Sequence, residues 1–177
     1  MSPEAATSSM REPHFRAARP NDGAAMWRLV GEMGGLEQNS AYFYVLFCKD
    51  FADTCVVAEV DGELAGFVLG HRPPARPDSV FVWQVGVAPW MRRQGLAGRL
   101  LEALLAQQQP PARWLEATVS PDNTASRSLF RALARQHDTQ CDERPFMDAT
   151  LFPISHDAED LFRIGPLSAT SNTRAKA

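Results

Sequence analysis

Residues 92–97, Arg92-Arg93-Gln94-Gly95-Leu96-Ala97, follow an apolar β-like run and precede a helical pattern. The chemistry such a junction can do is anion binding. A helix that starts here leaves its first backbone N–H groups unpaired, and their partial positive charge faces the end of the preceding strand. Gly95 allows close approach of the backbone to a bulky anion, Ala97 keeps the next turn small, and Arg92 and Arg93 add charge. The stretch reads as a pyrophosphate cradle. The plain alternative is a strand-to-helix connection with a solvated basic corner. No G-x-x-x-x-G-K-[ST] and no G-x-G-x-x-G occurs, so ATP and dinucleotides lose ground as ligands.

The elements that must position this junction follow from periodicity and turn chemistry. "RPNDGAAMWRLVGEMGG" predicts a helix capped by Asn21 or Asp22 and stopped at Gly34-Gly35. A second helix, capped by Asn39 or Ser40, is expected to run to Phe51. Two β-rich runs flank Asp61-Gly62 as a hairpin. Then come the strand 80–87, a helix over about 95–108, a strand at 114–119 and a helix capped at Asp122 or Asn123. Two short strands are expected near 137–142 and 145–152. The order is α α β β β α β α β β. The central strand–helix–strand unit requires a parallel pair with a right-handed crossover, and the hairpin makes the sheet mixed. The class is α/β in the loose sense, or α+β.

Composition bounds the function. The 177 residues suit one domain, expected over 14–165, with small polar tails at 1–13 and 166–177 expected to be disordered. A net charge of −3 supplies no global field toward nucleic acid or anionic membrane. No apolar run approaches the ~20 residues that span a bilayer. Cys48, Cys55 and Cys141 are far apart and form no CxxC pair, which argues against a disulfide framework or structural zinc. The expectation is a cytoplasmic protein with no metal.

A second motif joins the first. After the crossover strand come Asn123, Ser126 three residues on, and then Leu129-Phe130. In this order and separation the two motifs resemble those of the GCN5-related N-acetyltransferase family. The resemblance implies a largely antiparallel sheet whose one parallel pair, 80–87 and 114–119, splays apart. Acetyl-CoA is the implied co-substrate. Arg92, Arg93, Gln94, Gly95, Leu96 and Ala97 would hold its pyrophosphate, and Asn123, Ser126 and Phe130 would lie along its arm. Val85, Gly86 and Val87 would offer the strand edge and polarise the thioester carbonyl through main chain. A bulge is expected near Gly86, because a glycine inside a strand often marks one.

"LEQNSAYFY", "FADTCVVAEVDGELAGFV", "VFVWQVGV", "DNTASRSLF" and "HDAEDLFRI" are similar to a narrower family, the L-2,4-diaminobutyrate acetyltransferases of ectoine biosynthesis. That family often carries Asp where this chain has Glu37. The implied reaction moves acetyl to the 4-amine of L-2,4-diaminobutyrate, a small-molecule partner, in a homodimer. An acceptor site for a diammonium carboxylate calls for acidic residues and a base. Glu37 and Asn39 lie between the first two helices, where the family builds its acceptor pocket; the alternative for Glu37 is a solvated loop carboxylate. Phe130 stands where the superfamily usually has a tyrosine acid, so Tyr42 is the substitute, with Tyr44 behind it; core packing is the alternative for both. His156 is the better base on intrinsic grounds, with an ordinary pKa of ~6.5, and Glu159 would orient it or bind charge. The alternative for both is an exposed helix start capped by Ser155. Glu116 is a strand-borne candidate, or a carboxylate with a structural partner. Trp83 and Gln84 alternate on their strand and so are expected on opposite faces, with Trp83 walling the pocket. An enzyme for another diamine or a protein amine, and a non-catalytic acetyl-CoA-binding module, stay open beside this reading.

Overall fold

The computed structural model describes residues 12–168. The predicted tails lie almost wholly outside the described residues. The elements are β1 (His14–Ala17), α1 (Gly23–Met33), α2 (Ala41–Asp50), β2 (Cys55–Val60), β3 (Glu63–His71), β4 (Ser79–Val87), α3 (Leu96–Gln107), β5 (Trp114–Val119), α4 (Thr124–Gln136), β6 (Gln140–Met147) and β7 (Glu159–Gly165). The strands form one sheet in the order β1-β2-β3-β4-β5-β7-β6. Only β4 and β5 are parallel; every other neighbouring pair is antiparallel. The mixed, largely antiparallel class expected from the sequence is what forms.

Each face of the sheet has its own core. Under α1 and α2, Met26, Val30, Tyr44 and Cys48 pack on Val57, Phe67 and Leu69. Under α3 and α4, Leu100, Leu101, Leu104 and Leu133 pack on Val68, Val80, Leu115, Phe162 and Ile164. The β2–β3 turn has positive φ at both Asp61 (53°) and Gly62 (82°), the geometry a two-residue hairpin demands. Ser40 caps α2 by accepting from the Phe43 N–H (3.2 Å), and Asn123 caps α4 by accepting from the Ser126 N–H (3.0 Å). Asp22 precedes α1 but its carboxylate is engaged elsewhere. It accepts from the Arg19 N–H (2.7 Å) and pairs with Arg16, which also binds Glu59 and so ties β1, the start of α1 and β2 together.

Three expectations are corrected. The strand β1 was not foreseen; its four residues carry no usable alternation, and pairing with β2 alone defines it. The strands expected at 137–142 and 145–152 are one strand, β6. Pro145 does not break it, because β6 is an edge strand and tolerates a missing N–H; the register merely shifts between Pro145 and Met147. The acid-rich "SHDAEDLF" does not start a helix. Glu159 opens β7, which pairs with both β5 and β6.

Candidate active site

The site begins where β4 and β5 part. Their ladder runs from Ser79↔Trp114 to Val82↔Ala117 and stops. β4 continues five residues further, to Val87, and β5 turns its other edge to β7 through Val119. Trp83–Val87 therefore present a strand edge with no β5 partner, at the C-terminal ends of the two parallel strands. Ligands bind at this end of open sheets, and an extended arm can add to such an edge.

The irregularity in β4 sits at Trp83, not at Gly86. Leu69 pairs with Gln84 and Gly70 with Val82, so Trp83 is the extra residue. The pairing beyond it is regular: Val68↔Val85, Phe67↔Gly86, Gly66↔Val87. Gly86 is glycine for another reason. A Cβ there would lie 2.5 Å from the Phe67 ring. The bulge overturns the expectation that Trp83 and Gln84 face opposite sides. Trp83 packs against Phe43 and Phe47 of α2 (ring centroids 5.7 and 6.2 Å). Gln84 touches Tyr44 of the same helix. Both therefore face the α1/α2 side, and Val85 and Val87 pack toward the opposite core.

On that side the loop 34–40, where the acceptor pocket is expected, is held at two points. Gln38 donates from Nε2 to the Trp27 carbonyl of α1 (2.8 Å), and Gln84 donates from Nε2 to the Glu37 carbonyl (2.9 Å). The Glu37 side chain itself is exposed, and Asn39 is half-buried. Tyr44 takes the core-packing alternative, and Tyr42 does not. Tyr42 is 73% exposed and Tyr44 is fully buried, its hydroxyl donating to Gln84 Oε1 (3.0 Å).

The β5 side of the split also carries acidic residues. Leu115, Ala117, Val119, Phe162 and Ile164 point into the α3/α4 core, so the intervening Glu116, Thr118 and Glu159 share the opposite face with Trp83. Glu159 is half-buried, and this desolvation raises its pKa; a hydrogen bond from Thr118 and the nearby His156 pull the other way. His156 stacks on Phe152 (3.9 Å), and its Nδ1 lies 2.6 Å from the Asp157 carbonyl. A carbonyl only accepts, so Nδ1 carries a proton and Nε2 faces Glu159 Oε1 at 4.0 Å. The sequence named His156 and Glu159 but missed Thr118; its place two residues after Glu116 on one strand face was the available signal.

Glu116 leaves the list of bases. It is 1% exposed and clamped by Arg76 (3.0 Å from both Nε and Nη2), with the Ser79 hydroxyl at 3.3 Å and Arg163 Nε at ion-pair distance, 3.2 Å. Arg163 in turn lies over the Trp114 ring at 4.0 Å. This is a strut joining β4, β5 and β7.

The same end of the sheet holds the starts of α3 and α4. Gly95 caps α3 with φ +73°, a left-handed conformation that favours glycine, and nothing among the described residues lies within 4 Å of where a Cβ would stand. The first α-helical bond there is Arg99 N–H to the Gly95 carbonyl, so the N–H groups of Leu96, Ala97 and Gly98 stand at the open end of the helix. The Leu96 side chain is buried in the core, so only its backbone can serve a ligand. Arg93 and Gln94 are exposed; Arg92 donates to the Met33 carbonyl at the end of α1 (3.2 Å). Asn123 spends its side-chain oxygen on the α4 cap, leaving its NH₂ to donate. Ser126 is half-buried beside it. Phe130 is buried and packs on Phe162 (ring centroids 6.0 Å). Cys48 and Cys55 are buried under α2, their thiols pushed up to about 12 by desolvation, which leaves them unreactive.

Comparison with known proteins agrees with this geometry. Residues 24–134 match the Acetyltransferase (GNAT) family. The chain is 46% identical over 155 residues to an L-2,4-diaminobutyric acid acetyltransferase from Nocardia farcinica, covering 87% of this chain and 80% of that one. It is 47% identical over 148 residues to its counterpart from Halalkalibacterium halodurans, covering 82% and 78%. Among solved structures it resembles the diaminobutyrate acetyltransferase EctA from Paenibacillus lautus, bound to L-2,4-diaminobutyric acid and coenzyme A. That TM-score is 0.85 at 39% identity, covering 90% of this chain and 98% of that one. The ribosomal-protein-S18-alanine N-acetyltransferase of Escherichia coli shares the fold alone, at TM-score 0.64 and 18% identity.

Proposed function

This chain belongs to the GNAT acetyltransferase family and to its diaminobutyrate acetyltransferases, and from that premise we propose how its residues divide the reaction. It is an acetyl-CoA-dependent acetyltransferase acting on L-2,4-diaminobutyrate. The observation that carries the division of roles is the split at Val82–Ala117. The strand edge assigned to the donor begins there, and the reading is supported by the Glu37 carbonyl bonding to Gln84 of β4 and by Glu159 opening β7 on the same face.

In this reading the N-termini of α3 and α4 hold coenzyme A. The N–H groups of Leu96, Ala97 and Gly98 take the pyrophosphate beside Arg93 and Gln94. The edge Val85–Val87 takes the arm and polarises the thioester carbonyl. Glu37 and Glu159 share the substrate's ammonium charge, and the half-exposed Trp83 ring packs on it. His156, through Nε2, or a water it binds, takes the proton of the attacking amine. Holding the 2-ammonium and carboxylate leaves the 4-amine free, so N4-acetyl-L-2,4-diaminobutyrate is the product. No side-chain acid is assigned, because a thiol of ordinary pKa ~8.5 leaves as thiolate near neutral pH.

The wider role is proposed with it: a cytoplasmic homodimer supplying ectoine, a compatible solute, under osmotic stress. Exposed Tyr42, Leu151 and Ile154 give a second copy apolar surface to cover. The test is coenzyme A release across a panel of diamines, with the product's acetyl position read by NMR. L-2,4-diaminobutyrate should give the highest kcat/KM, acetylated at N4. Equal turnover of longer diamines, or acetylation at N2, refutes the assignment. Binding of acetyl-CoA with no turnover of any amine would instead favour a binding module.

A further inference from the structure

Gln84 is an amide, 8% exposed, in a strand whose only other polar side chain is Ser79 at its start, and the chemistry above gives it no part. Its bonds leave no freedom of assignment. The Glu37 carbonyl can only accept, so Gln84 must turn its NH₂ toward it. That points Oε1 at the Tyr44 hydroxyl, which must then donate. Tyr44 is fully buried, held edge-on by Phe43 (5.3 Å) and Phe67 (6.4 Å), and cannot follow a moving partner. The chain Tyr44 → Gln84 → Glu37 thus runs from a rigid core ring, across the strand beside the bulge, to the backbone of the acceptor loop.

We propose that Gln84, oriented by Tyr44, is a positioning residue for the acceptor, resting on the assignment of Glu37 to substrate ammonium. It fixes the Glu37 carboxylate, through that residue's own carbonyl, relative to Trp83 and to the strand edge where the thioester docks. It touches neither substrate nor reacting atoms. Its loss loosens the acceptor loop and spares the pyrophosphate end of the donor site, because among the described residues no hydrogen bond joins the N-termini of α3 and α4 to Tyr44, Gln84 or Glu37.

The variants are Gln84→Met, which keeps the length and removes both bonds, Tyr44→Phe, and the pair. Gln84→Met should raise KM for L-2,4-diaminobutyrate about tenfold, with kcat and KM for acetyl-CoA within about twofold. Tyr44→Phe should cost about threefold in the same KM. The double variant should match Gln84→Met alone, since the hydroxyl acts only through the amide. In Gln84→Glu an ionised carboxylate would oppose the Glu37 carbonyl, and a protonated one would donate to it. The KM ratio to wild type should therefore shrink as pH falls, which loss of packing alone would not produce. Hydrogen exchange without substrate supplies a readout independent of the acceptor's identity: amides of residues 36–40 should exchange at least about tenfold faster in Gln84→Met. Unchanged exchange and unchanged diamine KM in a folded Gln84→Met protein overturn the proposal, as do additive effects in the double variant. Faster exchange in a protein whose wild type ignores L-2,4-diaminobutyrate would uphold the positioning and sink the substrate instead.

Discussion

Replacing Glu116 by Gln separates a strut from a base. The carboxylate is buried between Arg76 and Arg163, within 3.2 Å of both, and Gln keeps its shape while removing its charge. Breaking a fully buried ion pair costs about 3–5 kcal/mol. Here both arginine side chains keep about a third or more of their surface (44% and 31%), so water recovers part of the loss. The expected cost is then about 2–3 kcal/mol. For a chain of this size each kcal/mol moves Tm by about 2–4 °C, so Tm should fall by roughly 4–12 °C. Circular dichroism melts measure this, and steady-state kinetics at 25 °C measure the other half, where kcat should stay within about threefold of wild type. A Tm within about 2 °C of wild type with kcat down a hundredfold, about 2.7 kcal/mol of barrier, would make Glu116 a catalytic base and refute the strut.

Glu37→Gln should raise KM for the diamine ten- to a hundredfold, at ~1.4 kcal/mol per tenfold, and leave KM for acetyl-CoA unchanged in the same assay. Gly95→Asn tolerates the left-handed backbone but fills the space in front of α3, so calorimetry should show coenzyme A binding at least about tenfold weaker with Tm nearly unchanged. Phe130→Tyr buries a hydroxyl against Phe162, so it should lower Tm and bring no gain in kcat; a tenfold gain would show that leaving-group protonation limits the rate. Glu159 has a raised pKa in the fold, so its contribution to stability is full below the ordinary carboxylate range and is lost as pH rises through the folded value. Glu159→Gln should therefore melt no lower than wild type at neutral pH. It should also abolish the improvement in diamine KM that ionisation of Glu159 gives wild type as pH rises; a pH–KM profile checks both signs.

Much of the fold is legible because its signals are local. Caps at Ser40 and Asn123, the Asp61-Gly62 turn and the crossover through α3 each rest on a few consecutive residues. The start of α3 is legible for the same reason: Gly95 and the helix it opens are one contiguous stretch. The elements that failed depend on partners distant in sequence. β1 exists because β2 accepts it. β7 opens in an acid-rich segment that reads as a helix's first turn, and becomes a strand because β5 and β6 lie on either side of it. Glu116 could be a base or a strut until Arg76 and Arg163, 40 residues before it and 47 after, were in place.

The bulge shows most plainly why a correct strand can still mislead. Alternation along β4 is strict on both sides of Trp83: Val80 and Val82 enter the α3/α4 core before it, Val85 and Val87 after it. One extra residue between them changes the parity, which no period-two pattern over "VFVWQVGV" reveals. The obvious marker, Gly86, points elsewhere, since its missing Cβ serves the Phe67 ring. The inserted residue has two effects at one position. It turns Trp83 and Gln84 together toward α2, where one ring can wall the acceptor and one amide can hold its loop. It also coincides with the last β4–β5 pair at Val82, beyond which β4 has no β5 partner. The edge of β4 without a β5 partner and the ring and amide that face α2 are thus adjacent at one bulge, and their separation is set by backbone geometry instead of by any mobile side chain.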